Sequence, residues 1–229
     1  MTNDTPSDIP SEKTVRDEII EAGRRLYFKD LVAACDGNIS ARLSEDEFLV
    51  TPSGVSKGFM HADDLLKVNS RGELLEGGGK PTRELAMHLA LYTARPDIRG
   101  VVHAHPPIAT AFACTDRHFE RIILPEVIFE LGEIVVAEFA LPSTQELPDS
   151  ILAVLTKKTG AILLSNHGAV TVGESVMKAY YNMETLEAVA KITLAAGNLG
   201  SPRYLSDSQV GALWDLLDAG NGKSCDESK

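Results

Sequence analysis

Val101-Val102-His103-Ala104-His105 ends an apolar run with two imidazoles spaced two residues apart. Side chains alternate faces along a strand, so both rings point the same way and come within reach of one cation, while Val102 and Ala104 face the other side. Neutral imidazole is a good zinc ligand, and a catalytic zinc takes three protein ligands and keeps a further position open. The motif is weak on its own, since two polar residues closing a strand give the same string. His167 offers a third imidazole: it follows a second apolar run, Ala161-Ile162-Leu163-Leu164, in the turn Ser165-Asn166-His167-Gly168. Glu84 begins a candidate helix, where a helix dipole favours a carboxylate without any function. Beside a three-histidine metal the same residue becomes the natural general base. His61 and His88 in candidate helices, and His118 in a charged loop, have no ligand-spaced partner and read as surface or core residues.

Donors for an anion recur in the same stretches. Gly37-Asn38, Ser53-Gly54 and Thr82 offer backbone N–H groups and hydroxyls of the kind that hold phosphate, although each alone is an ordinary turn. The net charge of -11 opposes binding to a nucleic-acid backbone, which requires clustered Lys and Arg. An anionic metabolite has to find positive potential locally, in a metal, a helix N-terminus or one placed Arg. Cys35, Cys114 and Cys225 are widely spaced with no CxxC pair, so reduced and mostly structural thiols are expected rather than disulfides or a cysteine metal site. The polar stretch 1–11 lacks the apolar segment of a signal peptide, and no window reaches the roughly 18 apolar residues of a membrane span. The expectation is a cytoplasmic protein without a membrane partner.

The elements that must position these groups follow from periodicity. Val15, Ile19, Ala22 and Leu26 predict a helix over 14–29. Short strands are expected over 39–43 and 48–51, with a hairpin around Arg71-Gly72. Thr82 caps a helix that Pro96 stops, which puts Glu84 in its first turn. Beyond it come a strand over 101–105, an extended stretch over 127–139, a helix over 145–157, a strand over 161–164 and helices over 174–199 and 206–217. At 229 residues, 44% hydrophobic and 24% charged, the chain suits one globular domain over 12–218, with flexible tails at 1–11 and 219–229. Strands and helices mix without strict alternation, which predicts a layered α/β sheet with some antiparallel pairing.

Taken together, Gly37-Asn38-Ile39-Ser40, Thr51-Pro52-Ser53-Gly54, Thr82-Arg83-Glu84, His103-Ala104-His105-Pro106 and Asn166-His167-Gly168 closely resemble the class II aldolase and adducin family. Order and spacing match over about residues 14–217, above all in the L-fuculose 1-phosphate aldolase branch. The resemblance implies a three-layer α/β/α sandwich around a mixed, mostly antiparallel sheet, and a homotetramer with active sites near subunit interfaces. It also implies zinc on His103, His105 and His167, with Glu84 as fourth ligand and as acid/base. The phosphate of a sugar phosphate is implied to rest on Gly37, Asn38, Ser53, Gly54, Thr82 and Arg83. The implied reaction is retro-aldol cleavage of a ketose 1-phosphate to dihydroxyacetone phosphate and an aldehyde, Glu84 taking the hydroxyl proton. Family epimerases carry aspartate where this chain has Glu84, which favours cleavage. Related dehydratases and decarboxylases are alternatives on the same scaffold, adducin-like binding modules lack the metal histidines, and a zinc hydrolase would want an HExxH motif. Two positions depart from the aldolase pattern. Arg83 stands where a second small hydroxyl residue is usual, and Phe129 lies near the place of a family tyrosine, while no tyrosine follows Tyr204.

Overall fold

The computed structural model describes residues 10–116, 119 and 121–219; most of both expected tails, His118 and Cys225 lie outside the described residues. Helix α1 (Glu12–Phe28) starts where the Ser11 hydroxyl accepts from the Thr14 N–H, and it buries the stripe Val15, Ile19, Ala22 and Leu26. Strands β1 (Asn38–Arg42), β2 (Phe48–Val50), β3 (Leu66–Val68) and β4 (Leu74–Glu76) follow as an antiparallel meander. Next come α2 (Leu85–Ala94), β5 (Gly100–Ala104), α3 (Pro107–Ala113), β6 (Glu133–Ala137), α4 (Glu146–Leu152), β7 (Thr159–Leu164), β8 (Gly168–Gly173), α5 (Val176–Leu199) and α6 (Asp207–Asp218).

The eight strands make one sheet in the order β4-β3-β2-β1-β5-β8-β7-β6, antiparallel everywhere except between β6 and β7. Every residue of β5 and β7 is buried, because helices cover both faces of the sheet there. Alternate residues feed two cores. Val102, Ala161 and Leu163 join Ile19, Leu26, Met183 and Leu186 of α1 and α5. Val101, Ile162 and Leu164 join Met87, Leu91 and Ile151 of α2 and α4 on the other side. The result is the three-layer α/β/α sandwich around a mixed, mostly antiparallel sheet.

Several local expectations need correction. The stretch over 127–139 divides into a π-helical segment, Val127–Leu131, and strand β6. The break falls at Gly132, whose φ is +64° and which lies so close to the Lys158 carbonyl that a Cβ would come within 2.2 Å of it. The helix over 145–157 stops at Leu152. Helix α3 is absent from the expectations because Pro106-Pro107 reads as a breaker; Pro107 is the first helical residue, where a missing N–H removes nothing. Cys35 and Cys114 are free and exposed, so neither is a structural core thiol. Among the described residues no helix is long and apolar enough to cross a membrane.

Candidate metal centre

His103 is buried on β5, opposite Asn38 of β1 and Val170 of β8. Its Nδ1 lies 3.0 Å from the Ala169 carbonyl oxygen. A carbonyl only accepts, so Nδ1 carries the proton and Nε2 is left bare for another partner. His105 lies just past the strand end, where its backbone N–H donates to the Leu31 carbonyl at 3.0 Å. The chain turns at once into α3, whose leading N–H groups on Ile108 and Ala109 donate to the buried Glu187 carboxylate at 2.9 to 3.2 Å. His167 occupies the β7–β8 turn, following Asn166 in the left-handed region at φ +56°. The His103 ring centroid is 4.9 Å from each of the other two, which are 5.3 Å apart, and one nitrogen from each residue lies within 4.8 Å of the others. Gly168 makes room for this: a Cβ there would come within 2.4 Å of His105 Cδ2.

His105 Nε2 and His167 Nδ1 are buried with no hydrogen-bond partner among the described residues. A buried polar atom left so costs about 1–3 kcal/mol unless something fills the gap. Desolvation lowers the His103 pKa to about 4, against the pull of Glu84, and it lowers His167 in the same way, so both rings are neutral near pH 7. Three imidazoles converging on one space form the donor set of a borderline divalent ion, and these residues fit one.

Glu84 occupies the N-cap position of α2, before its first turn rather than in it. Thr82 is the reason. Its hydroxyl accepts from the Glu84 N–H at 3.3 Å and its carbonyl accepts from the Leu85 N–H at 3.3 Å, closing a turn that aims Glu84 inward. One carboxylate oxygen is 3.2 Å from His103 Nε2 and accepts from Asn38 Nδ2 at 2.8 Å, and the other is 3.3 Å from His167 Nε2. Burial is the largest single influence on this carboxyl and raises its pKa. His103, the Asn38 hydrogen bond and His167 together outweigh it and hold the group below its ordinary range.

Gly37, Asn38, Ser53, Gly54, Thr82, Arg83, Glu84 and the three histidines line one cleft of about 380 Å³. The loops are laced together: Ser53 N–H donates to the Lys80 carbonyl at 2.9 Å and Thr82 N–H to the Thr51 carbonyl at 3.1 Å. Gly37, at φ +71°, approaches the His103 carbonyl so closely that a Cβ would meet it at 2.7 Å. Arg83 is exposed at the cleft and makes no ion pair among the described residues. Lys57, unforeseen from the sequence, is 2% exposed and also lines the cleft. Its Nζ donates to the carbonyls of Cys35 at 3.1 Å and Val55 at 2.5 Å, one on each anion loop. A lysine three residues beyond Gly54 carries no sign that it turns inward. His61 caps a short 3-10 turn rather than lying within a helix. His88 is fully buried and hydrogen-bonded to Asn38 and Ser40, more than a core residue of no consequence. A larger cavity of about 750 Å³, between α3 and the end of α5, holds none of these groups.

The family model described as Class II Aldolase and Adducin N-terminal domain matches residues 17–194. The chain is 31% identical over 215 residues to a 3-oxo-tetronate 4-phosphate decarboxylase of Pectobacterium atrosepticum, covering 92% of this chain and 97% of that protein. It is 32% identical over 182 residues to an L-fuculose phosphate aldolase of Methanococcus maripaludis, covering 80% and 97%. Among solved structures, the YgbL protein of Klebsiella pneumoniae superposes with a TM-score of 0.83 at 30% identity, over 89% of this chain and 99% of that one.

Proposed function

Since the chain belongs to the class II aldolase and adducin family, we propose that it is a metal-dependent lyase that breaks the bond between the carboxylate and the hydroxyl-bearing carbon next to the ketone of a phosphorylated 3-oxo sugar acid, releasing carbon dioxide. The decarboxylase relative supplies the substrate class. In a 3-oxo-tetronate 4-phosphate the carboxylate, a hydroxyl-bearing carbon, the ketone and the phosphate-bearing carbon follow in order. Loss of carbon dioxide leaves the electron pair on the hydroxyl-bearing carbon, and one proton there gives dihydroxyacetone phosphate. A ketose 1-phosphate aldolase breaks the matching bond and reaches the same product, but it releases an aldehyde and first needs a base to take a hydroxyl proton.

In this reading His103, His105 and His167, with Glu84 as fourth ligand, hold a divalent ion, zinc by their chemistry, which when bound supplies the charge that stabilises negative charge growing on the ketone oxygen. Gly37, Asn38, Ser53, Gly54 and Thr82 hold the phosphate through backbone and side-chain donors, with the buried ammonium of Lys57 beneath them. Glu84, ionised and pinned by Asn38, takes a proton from water and passes it to the hydroxyl-bearing carbon, since carbon dioxide leaves without giving one up. The observation that carries the choice of substrate is Arg83, an exposed guanidinium at the cleft that makes no ion pair among the described residues. A ketose 1-phosphate brings one anionic group to this cleft, whereas a 3-oxo acid phosphate brings two, and Arg83 suits the second. Residues 12–218 act as one catalytic domain, in a cytoplasmic homotetramer whose size light scattering checks.

Ketose 1-phosphate cleavage is the second reading, supported by the ionised carboxylate of Glu84 and by the aldolase relative. The test incubates the zinc-loaded protein with a 3-oxo-tetronate 4-phosphate and, separately, with a panel of ketose 1-phosphates. Released carbon dioxide is measured alongside dihydroxyacetone phosphate, the latter through an NADH-consuming reductase. Equal amounts of both products from the oxo acid are expected. Dihydroxyacetone phosphate from a ketose 1-phosphate alone would replace the first reading by the second, and no product from either would overturn both.

A further inference from the structure

Behind Glu84 a file of polar side chains runs into the core. The Tyr92 hydroxyl is 2.9 Å from Ser40 Oγ, Ser40 Oγ is 2.6 Å from His88 Nδ1, His88 Nε2 meets Asn38 Oδ1, and Asn38 Nδ2 is 2.8 Å from Glu84 Oε2. Ser40 and His88 are 0% exposed, Tyr92 1% and Asn38 5%, so water does not satisfy these groups. Their placement follows from two periodicities. Glu84, His88 and Tyr92 recur every fourth residue along α2 and its cap, and Asn38 and Ser40 are two apart on β1.

The chemistry of the acceptors fixes the direction of every link. A carboxylate only accepts, so Asn38 turns its NH2 to Glu84 and its carbonyl oxygen to His88. That oxygen also only accepts, so His88 carries a proton on Nε2. Burial drives the His88 pKa down to about 3, the ring is neutral, and Nδ1 is therefore an acceptor. Ser40 then donates to His88 and accepts from Tyr92. Every donor in the file points toward Glu84, and reversing any one link leaves a buried group unsatisfied. Turned by half a rotation, the Asn38 amide would set its carbonyl oxygen against the carboxylate and its NH2 against the His88 N–H, so the two neighbours enforce one orientation together.

We propose that His88 is a positioning residue for Glu84: by donating from Nε2 to Asn38 it locks the asparagine amide with its NH2 toward the carboxylate. One carboxylate oxygen is thereby tied down while the other faces His167. Ser40 and Tyr92 complete the device by holding His88 in the Nε2–H tautomer. The consequence for turnover rests on Glu84 being the proton-moving group, but the tautomer and the amide orientation do not.

The experiment uses the full chain, with and without zinc, labelled with 15N in histidine. Two-bond proton–nitrogen spectra should show His88 as the neutral Nε2–H tautomer with a slowly exchanging ring proton in both states, and the opposite tautomer or an imidazolium would overturn the proposal. His88→Phe, which keeps the ring volume and removes both nitrogens, should lower kcat at least tenfold with KM and bound zinc little changed. His88→Gln places an amide donor near the lost Nε2 and should recover most of that loss. Ser40→Ala is a smaller change that keeps the test alive if His88→Phe does not fold. It should give a mixed tautomer population and a several-fold fall in kcat. Wild-type kcat in His88→Phe, or equal losses in His88→Phe and His88→Gln, would reduce His88 to core filling. A wild-type protein without lyase activity on either substrate class would sink the functional reading and leave the spectra to judge the file.

Discussion

Glu84 and Arg83 are neighbours with separable roles. Glu84→Gln keeps the shape and still offers an oxygen near the histidines, but it cannot accept and return a proton. Cleavage that releases an aldehyde needs a hydroxyl proton removed, so on any ketose 1-phosphate kcat should fall by roughly 10² to 10⁴. Carbon dioxide leaves without giving up a proton, so release from the oxo acid should fall much less. Equal losses on both substrates, recovered by added metal, would leave Glu84 a ligand alone and not a proton carrier, which metal titration of the variant checks. Arg83→Ser should raise KM for the oxo acid about tenfold or more and leave a ketose 1-phosphate little affected, because only the first brings a second anion. Steady-state kinetics on both substrates decide it, and unchanged KM would return Arg83 to the solvated surface.

At the scale of elements, the histidines depend on how tightly β5 and β8 approach where β7 turns back. Gly168 begins β8 one residue before Ala169, the partner of Ala104, and an added methyl would sit 2.7 Å from the Ala104 carbonyl oxygen and 2.4 Å from His105 Cδ2. Gly168→Ala should therefore push the His105 ring aside, weakening metal affinity about tenfold or more, the scale on which orientation of a ligand matters. Competition with a chelator measures this, and wild-type affinity would show that the ring has slack. This dependence was not legible in the sequence, although most of its parts were. His103 and His105 are readable because a strand's period of two is rigid, and α1 because its apolar stripe is clean. Strand β8 is not legible: Gly168-Ala169-Val170-Thr171-Val172-Gly173 carries one polar side chain, Thr171, and is bounded by glycines, so period alone does not separate it from a loop. The inward turn of Lys57 and the polar contacts of His88 are hidden in the sequence for a related reason. Both are decided by residues far away in the chain, Cys35 for one and Asn38 and Ser40 for the other.

In the whole molecule, two helical layers close over a sheet that carries polar groups at its centre, and this makes stability depend on pH in a direction the charges fix. His88 titrates at about 3 in the folded chain against 6.5 ordinarily, with desolvation as the main cause. Between those values the unfolded chain binds a proton that the folded one refuses, so stability rises with pH. The contribution is complete above the ordinary pKa and is lost as pH falls toward the folded one, amounting to about 2 kcal/mol between pH 7.5 and pH 5. His103, lowered to about 4, acts in the same direction when no metal is bound. Glu21, held at about 2 by Arg24 and Arg25, stays ionised in the folded chain and mostly ionised in the unfolded one down to pH 5, so it contributes little there. Relief of the net charge of -11 acts in the opposite sense, since acidification reduces self-repulsion. A comparison cancels it. Urea unfolding of metal-free wild type and His88→Gln at both pH values should show the wild type losing about 2 kcal/mol more on acidification, because glutamine has no proton to take up. The variant starts lower at pH 7.5, having lost a satisfied link, and the two curves converge toward pH 5. Parallel curves would mean that the folded core admits the His88 proton without penalty, which is incompatible with a neutral ring accepting from Ser40.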